Sequence, residues 1–212
     1  VRVLDRTFNF NPRRAKELLN LFMEFHPHIR FHLEIHPALL SEELKNELQK
    51  LPKGLLHLEA GIQSLREPVL EKCRRLGKLS DALEGLKFLC SLDNMETHAD
   101  LIAGLPLYRL NEIFEDILSL AEYQAGEIQL ESLKLLPGTE MRRRAEELGI
   151  RYSPLPPYEV LQTHEITTDE LQVARRLSRL LDAFYNTPAW QALTRELILK
   201  EKGFLSHFLD CL

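Results

Sequence analysis

Polar and apolar residues alternate along three strand-like stretches, Phe31 to His36, His57 to Gln63 and Glu96 to Gly104. In the second, His57, Glu59, Gly61 and Gln63 share one face while Leu58, Ala60 and Ile62 share the other, which is the two-residue period of an extended chain. Between these stretches the apolar spacing changes to the three-and-four pattern of helices, and strands alternating with helices predict a parallel sheet. Such a sheet is normally covered on both faces and reads as continuously apolar. Here one face carries imidazoles, carboxylates and amides on successive strands. Burying an ion without a partner is costly, so this face is expected to line a wet, ligand-holding cavity rather than a dry core.

The elements follow in order. Val1 to Asp5 reads as a short strand, and Asn11-Pro12 opens a helix over Arg13 to Phe25. Strand Ile29 to His36 leads to a helix opened by Ser41, with Glu42 and Glu43 in its first turn and Pro52 beyond its end. Strand Leu55 to Gln63 leads to helices Glu67 to Arg75 and Ser80 to Cys90. Strand Thr97 to Ile102 leads to Leu110 to Tyr123, and strand Glu127 to Leu135 leads to Glu140 to Leu148. Serial units of this kind, joined by right-handed crossovers, form an open doubly wound sheet or part of a βα barrel. The polar faces favour the barrel, whose inward positions converge on one axis. Ligands sit at the carboxyl ends of the strands in both architectures, where Glu34, Gln63, Asp100 and Gly104 fall.

After Ser153-Pro154-Leu155-Pro156-Pro157 one more short strand is expected, Val160 to Ile166, and from Thr168 the chain reads as helical, with Leu171, Ala174, Leu177, Leu180 and Leu181 on one stripe. The expected fold class is therefore α/β: a partial (βα) TIM-type barrel of parallel strands over residues 1–166, truncated at its N-terminus, with a C-terminal helical extension over 167–212. A strand at the first residue suggests a piece of a longer fold, and its open edge suggests a dimer contact.

A formal charge of -5 gives no global field for a phosphate backbone, so no DNA partner is expected. The densest basic cluster, Arg142-Arg143-Arg144, reads as a solvated helix face with Arg142 toward Glu146 and Arg143 toward Glu147. No run of apolar residues is long enough for a membrane span, and the first residues lack a signal-peptide pattern. Cys73, Cys90 and Cys211 are odd in number and widely spaced, which suits thiols of a cytoplasmic protein better than a disulfide framework.

The order of the local motifs adds more than any one of them. Phe31-His32-Leu33-Glu34-Ile35-His36-Pro37, then Gly61-Ile62-Gln63-Ser64, Arg75, Asp100-Leu101-Ile102-Ala103-Gly104-Leu105-Pro106 and Leu136-Pro137-Gly138-Thr139 resemble the radical S-adenosylmethionine superfamily over roughly residues 1 to 150. Within it the likeness is to the anaerobic coproporphyrinogen oxidase and methylthiotransferase branches, whose partial barrel has six βα units, so that this chain would supply strands 2 to 6. The resemblance implies a nucleoside site. Glu34 would receive the methionyl ammonium, Arg75 would grip the methionyl carboxylate, Gln63 and Asp100 would hold the ribose hydroxyls, Gly104 would let the backbone approach, and Leu136 would lie beside the adenine. Asp5-Arg6-Thr7-Phe8-Asn9 resembles the stretch found in cobalamin-domain enzymes such as the anaerobic magnesium-protoporphyrin monomethyl ester cyclase. That puts Asp5, Thr7 and Asn9 on the cofactor side and implies cobalamin in a further N-terminal domain. His32, His36, His57 and Glu59 receive no role from the family and are candidates to face substrate.

The family binds a 4Fe-4S cluster through Cys-x3-Cys-x2-Cys, and no such spacing occurs in this sequence. The implied activity is that of an oxidoreductase that cleaves S-adenosylmethionine reductively and abstracts hydrogen from a small organic substrate, fed by an electron donor, with this chain inactive by itself. A tRNA-modifying enzyme of the same superfamily, a hydrolase barrel holding a hard metal at Glu34, Glu59 and Asp100, and a non-catalytic binding barrel are the alternatives.

Overall fold

In the computed structural model, which describes residues 1–201 and 203–211, the first helix starts where its cap dictates. The Asn11 side chain accepts the Arg14 N–H at 3.1 Å and Pro12 occupies the first turn of α1 (Pro12–Met23). Ser41 caps α2 (Glu42–Lys50) in the same way. Around them run β1 (Phe31–Ile35), β2 (Leu56–Gln63), α3 (Glu67–Lys72), α4 (Leu79–Cys90), β3 (Glu96–Ala103), α5 (Leu110–Glu122) and β4 (Glu127–Ser132). Then follow α6 (Glu140–Arg143), β5 (Arg151–Tyr152), β6 (Val160–Gln162), α7 (Thr168–Leu180), α8 (Pro188–Lys200) and α9 (Phe204–Cys211). The four long strands form one parallel sheet in the order β1-β2-β3-β4, so the α/β partial barrel read from the sequence is the observed fold.

The chain groups into two compact units, Val1–Ile62 with Leu76–Asp100 and Tyr123–Glu127, and Gln63–Arg75 with Leu101–Glu122 and Ile128–Leu212. In the first, the alternation of β1 and β2 sends Leu33, Ile35, Leu58 and Ala60 into a core completed by Leu19, Phe22, Leu44, Leu48, Leu86 and Leu89. Phe22 stacks on Phe31 with ring centroids 4.0 Å apart. Helix α4 lies against the 3-10 turn Pro37–Leu39 at Gly85, where a Cβ would collide with the Pro37 carbonyl. Gly85→Ala should therefore lower stability by about 1–2 kcal/mol, because overpacking against backbone outweighs a helix-propensity gain of about 1 kcal/mol. A raised urea midpoint would contradict this.

In the second unit, Asp116 on α5 is buried and accepts the Leu65 N–H (2.8 Å), the Arg66 Nε–H (2.8 Å), the Ser64 hydroxyl (3.3 Å) and the Tyr108 hydroxyl (2.6 Å). Burial pushes its carboxyl upward against those donors. Helix α7 opens with a capping box between Thr167 and Glu170 and runs into a π-helical turn, Leu181–Tyr185. Just after it, the Asn186 side chain accepts the Ile128 N–H (2.9 Å) and donates to the Ile128 carbonyl (3.0 Å).

Several boundaries differ from the sequence reading. Val1 to Asp5 forms no strand: Arg2 makes an isolated parallel bridge to His32, after which Asp5 accepts the Thr7 N–H at 3.2 Å and pairs with Arg14 at 2.6 Å, turning the chain into a 3-10 turn, Phe8–Phe10. Val160 to Ile166 keeps strand form only over β6, which pairs antiparallel with β5 across the proline-rich turn. The helix read over Glu140 to Leu148 is α-helical only to Arg143. There Arg142 stacks over Tyr152 and Tyr158, and Arg144 pairs with Glu140 and Glu147, in place of the anticipated Arg142–Glu146 and Arg143–Glu147 pairs. Arg75 lies past the end of α3, where Arg74 takes a φ of 54° and the Arg75 N–H closes on the Leu70 carbonyl. Among the described residues no helix is long and apolar enough to cross a membrane.

Candidate functional site

The register of β1 against β2 sets His32 beside His57 and Glu34 beside Glu59. On β3 the same alternation presents Glu96, His98 and Asp100, and Glu127 begins β4. The result, within the first compact unit, is a cluster of imidazoles and carboxylates on the polar side of the sheet. The ring centroids of His32 and His57 are 4.9 Å apart, those of His57 and His98 5.0 Å, and those of His32 and His98 5.6 Å.

The contacts are specific. His32 Nε2 lies 2.7 Å from Glu59 Oε2, and His57 Nε2 lies 2.8 Å from His98 Nδ1. His98 Nε2 stands 3.3 Å from Asp100 Oδ1 and 3.7 Å from Glu59 Oε2, while its Nδ1 is 4.0 Å from Glu127. From the rim Arg2 reaches Glu59 at 3.0 Å and Glu34 at 3.4 Å. Arg30 donates to His57 Nδ1 at 3.0 Å and pairs with Glu96. A guanidinium can only donate, so Nδ1 of His57 accepts, its proton sits on Nε2, and His98 Nδ1 accepts in turn. His98 therefore aims its own proton, on Nε2, toward Asp100 and Glu59.

Burial, reinforced by the neighbouring His57, pulls the His98 pKa down to about 4, and burial with Arg30 lowers that of His57. Both are neutral imidazoles near pH 7. Burial opposes ionisation of Glu59, but hydrogen bonds from His32 and Asp100 and the charge of Arg2 together hold its carboxyl below the usual range.

Of the residues singled out from the sequence, His32, His57, Glu59, Glu34 and Asp100 meet on this face. His36 is buried at its end, and Asn9, which is buried as well, exchanges two 2.9 Å hydrogen bonds with the His36 backbone. Asp5 and Thr7 belong to the N-terminal turn described above. The remaining four lie in the second unit. Gln63 ends β2 with a φ of 69°, unusual for a residue other than glycine. Gly104 has a φ of 89° with room for a Cβ only 3.3 Å from Val160 Cγ1, Arg75 is half-buried, and Leu136 is exposed on a turn. Sequence reasoning singled out neither His98 nor Glu127. Parity could have found the first, since His98 precedes Asp100 by two positions on the same strand.

A family described as "Protein of unknown function (DUF4080)" matches residues 146–208. No curated protein matches the chain. Among solved structures, the radical S-adenosylmethionine methyltransferase TsrM of Kitasatospora setae, with tryptophan substrate and a SAM analog bound, superposes with a TM-score of 0.58 at 17% identity, covering 73% of this chain and 32% of that one. A second TsrM structure, with cobalamin and a [4Fe-4S] cluster bound, gives 0.58 at 18% identity over 80% and 36%. Elp3 of the archaeon Methanocaldococcus infernus, with an N-terminal deletion, gives 0.56 at 15% identity over 89% and 45%. The chain has the fold of the radical S-adenosylmethionine barrels. It spans about a third of the length of TsrM and under half that of Elp3.

The residues present do not fit a 4Fe-4S cluster. Cys73 caps α3 and burial pushes its thiol up to about 11, away from the thiolate that iron requires; Cys90 ends α4 and Cys211 ends α9. Glu34, half-exposed, and Asp100 present carboxylate acceptors, the kind of group that a ligand's ammonium or hydroxyls would need, on the same face of the sheet.

Proposed function

We propose that this chain is the nucleoside-holding part of a radical S-adenosylmethionine enzyme acting on a small organic substrate, with the cluster ligands, and cobalamin if one is used, supplied by residues other than those of this sequence. The observation that carries the reading is the polar strand face itself, carboxylates and imidazoles on neighbouring parallel strands of this particular fold. When bound, S-adenosylmethionine and the cluster supply reductive cleavage and hydrogen abstraction. The chain's own residues bind and orient. Glu34 accepts the methionyl ammonium through charge-assisted hydrogen bonds, and Asp100 holds the ribose hydroxyls. Asp5 and Thr7 belong to the same cofactor side.

The test is calorimetric. S-adenosylmethionine should bind the 212-residue chain, and Glu34→Gln and Asp100→Asn should each weaken it about tenfold or more, the equivalent of one charge-assisted hydrogen bond. Affinity unchanged in both variants would defeat the assignment. Deoxyadenosine formation by the complete gene product, reconstituted anaerobically with iron and sulfide, tests the reaction class separately.

A further inference from the structure

His32, Glu59 and His98 bring two imidazole nitrogens and one carboxylate oxygen to within 4.8 Å of one another. We infer that these side chains form a binding site for a first-row divalent transition-metal ion such as Zn2+ or Fe2+, with Asp100 at its margin. The inference stands apart from the S-adenosylmethionine reading and needs no cluster.

Geometry carries it. Ligands about 2.1 Å from a tetrahedral ion stand about 3.4 Å from each other. The His32 Nε2 to Glu59 Oε2 distance is 2.7 Å and the His98 Nε2 to Glu59 Oε2 distance is 3.7 Å, on either side of that value. The three residues sit on three neighbouring strands, and the third separation, between the imidazole nitrogens of His32 and His98, is within 4.8 Å. Within it, the His98 side chain is only 3% exposed, yet its Nε2 makes no hydrogen bond among the described residues despite two carboxylates close by. A buried imidazole nitrogen aimed at carboxylates without bonding to either is a position that a cation fills.

The outer residues complete the arrangement. Metal on Nε2 of His98 moves its proton to Nδ1, where His57 Nε2 lies 2.8 Å away to accept it. His57 then carries its proton on Nδ1, which requires the Arg30 guanidinium, now 3.0 Å from that nitrogen, to turn wholly to its ion pair with Glu96. Two imidazoles with one carboxylate favour first-row transition metals over Mg2+ or Ca2+, which prefer oxygen alone. The site therefore differs in ligands and metal class from a hard-metal centre at Glu34, Glu59 and Asp100.

The 212-residue chain, stripped with a chelator, is titrated with Zn2+ by calorimetry and with Co2+ by visible absorption, without S-adenosylmethionine. One equivalent should bind, with Co2+ bands of a four- or five-coordinate nitrogen and oxygen site. His32→Ala, Glu59→Gln and His98→Ala should each weaken binding by at least about tenfold. A His26→Ala/His28→Ala variant, which removes imidazoles outside the cluster, should bind as the parent does, and Mg2+ should not compete. If circular dichroism shows His98→Ala unfolded, His32→Ala and Glu59→Gln decide, since both positions are half-buried. Equal binding by those two variants, loss of binding in the His26→Ala/His28→Ala variant, or effective competition by Mg2+ overturns the inference.

Discussion

Asp116→Ala is expected to lower the unfolding free energy by about 3–5 kcal/mol, the range for breaking a buried charged pair. Its carboxylate is 1% exposed and collects one peptide N–H, two hydroxyls and a guanidinium. Alanine leaves the fully buried Tyr108 hydroxyl and the Leu65 N–H without this acceptor, and each such loss costs roughly 1–3 kcal/mol. Arg66 contributes less, because its side chain is 30% exposed and regains water. Tyr108→Phe should cost about 1–2 kcal/mol, since the carboxylate keeps its other donors. The double variant should be more stable than the summed effects imply, because both changes remove the same hydrogen bond. Urea denaturation followed by circular dichroism checks the series. An Asp116→Ala loss below about 1 kcal/mol would mean that the network is ornamental.

The second large effect is expected at Asn9. Its amide donates to the His36 carbonyl and accepts the His36 N–H, both at 2.9 Å and both buried, tying the N-terminal turn to the end of β1. Asn9→Ala removes partners from two backbone groups at once and should cost about 2–4 kcal/mol. Aspartate retains the acceptor but sets a negative charge against the His36 carbonyl, so Asn9→Asp should be no better. The same experiment separates two roles. Were Asn9 chiefly a cofactor contact, as the family resemblance implies, Asn9→Ala would keep its urea midpoint and lose only S-adenosylmethionine affinity.

Much of the fold was legible because local signals and burial agree. The helix starts at Asn11-Pro12 and Ser41 are written in cap residues, and the two-residue alternation of Phe31–Ile35 and Leu56–Gln63 matches their burial position by position. The errors fall where tertiary partners override local pattern. Val1 to Asp5 has strand composition, but Arg14 and Thr7 draw Asp5 away before a ladder can extend. Over Glu140 to Leu148 the charge spacing suits a helix, but Arg142 is held by two tyrosines from beyond the helix, whose approach charge spacing alone does not show. The candidate site was half visible. Alternation identified His32, His57 and Glu59 without a purpose for them, whereas the convergence of His98 depends on cross-strand register, which a single sequence leaves open. Asp116 was invisible for a related reason: a carboxylate on an amphipathic helix reads as solvated until its donors are seen.

The side-chain amide of Asn186 occupies the hydrogen-bonding pair of Ile128, near the start of the outermost strand of the sheet. It imitates one residue of an absent neighbouring strand and stops there, so β4 cannot recruit a further chain at that point by backbone pairing. One amide, placed just past the π-turn, thereby closes that residue of the edge to intermolecular strand addition.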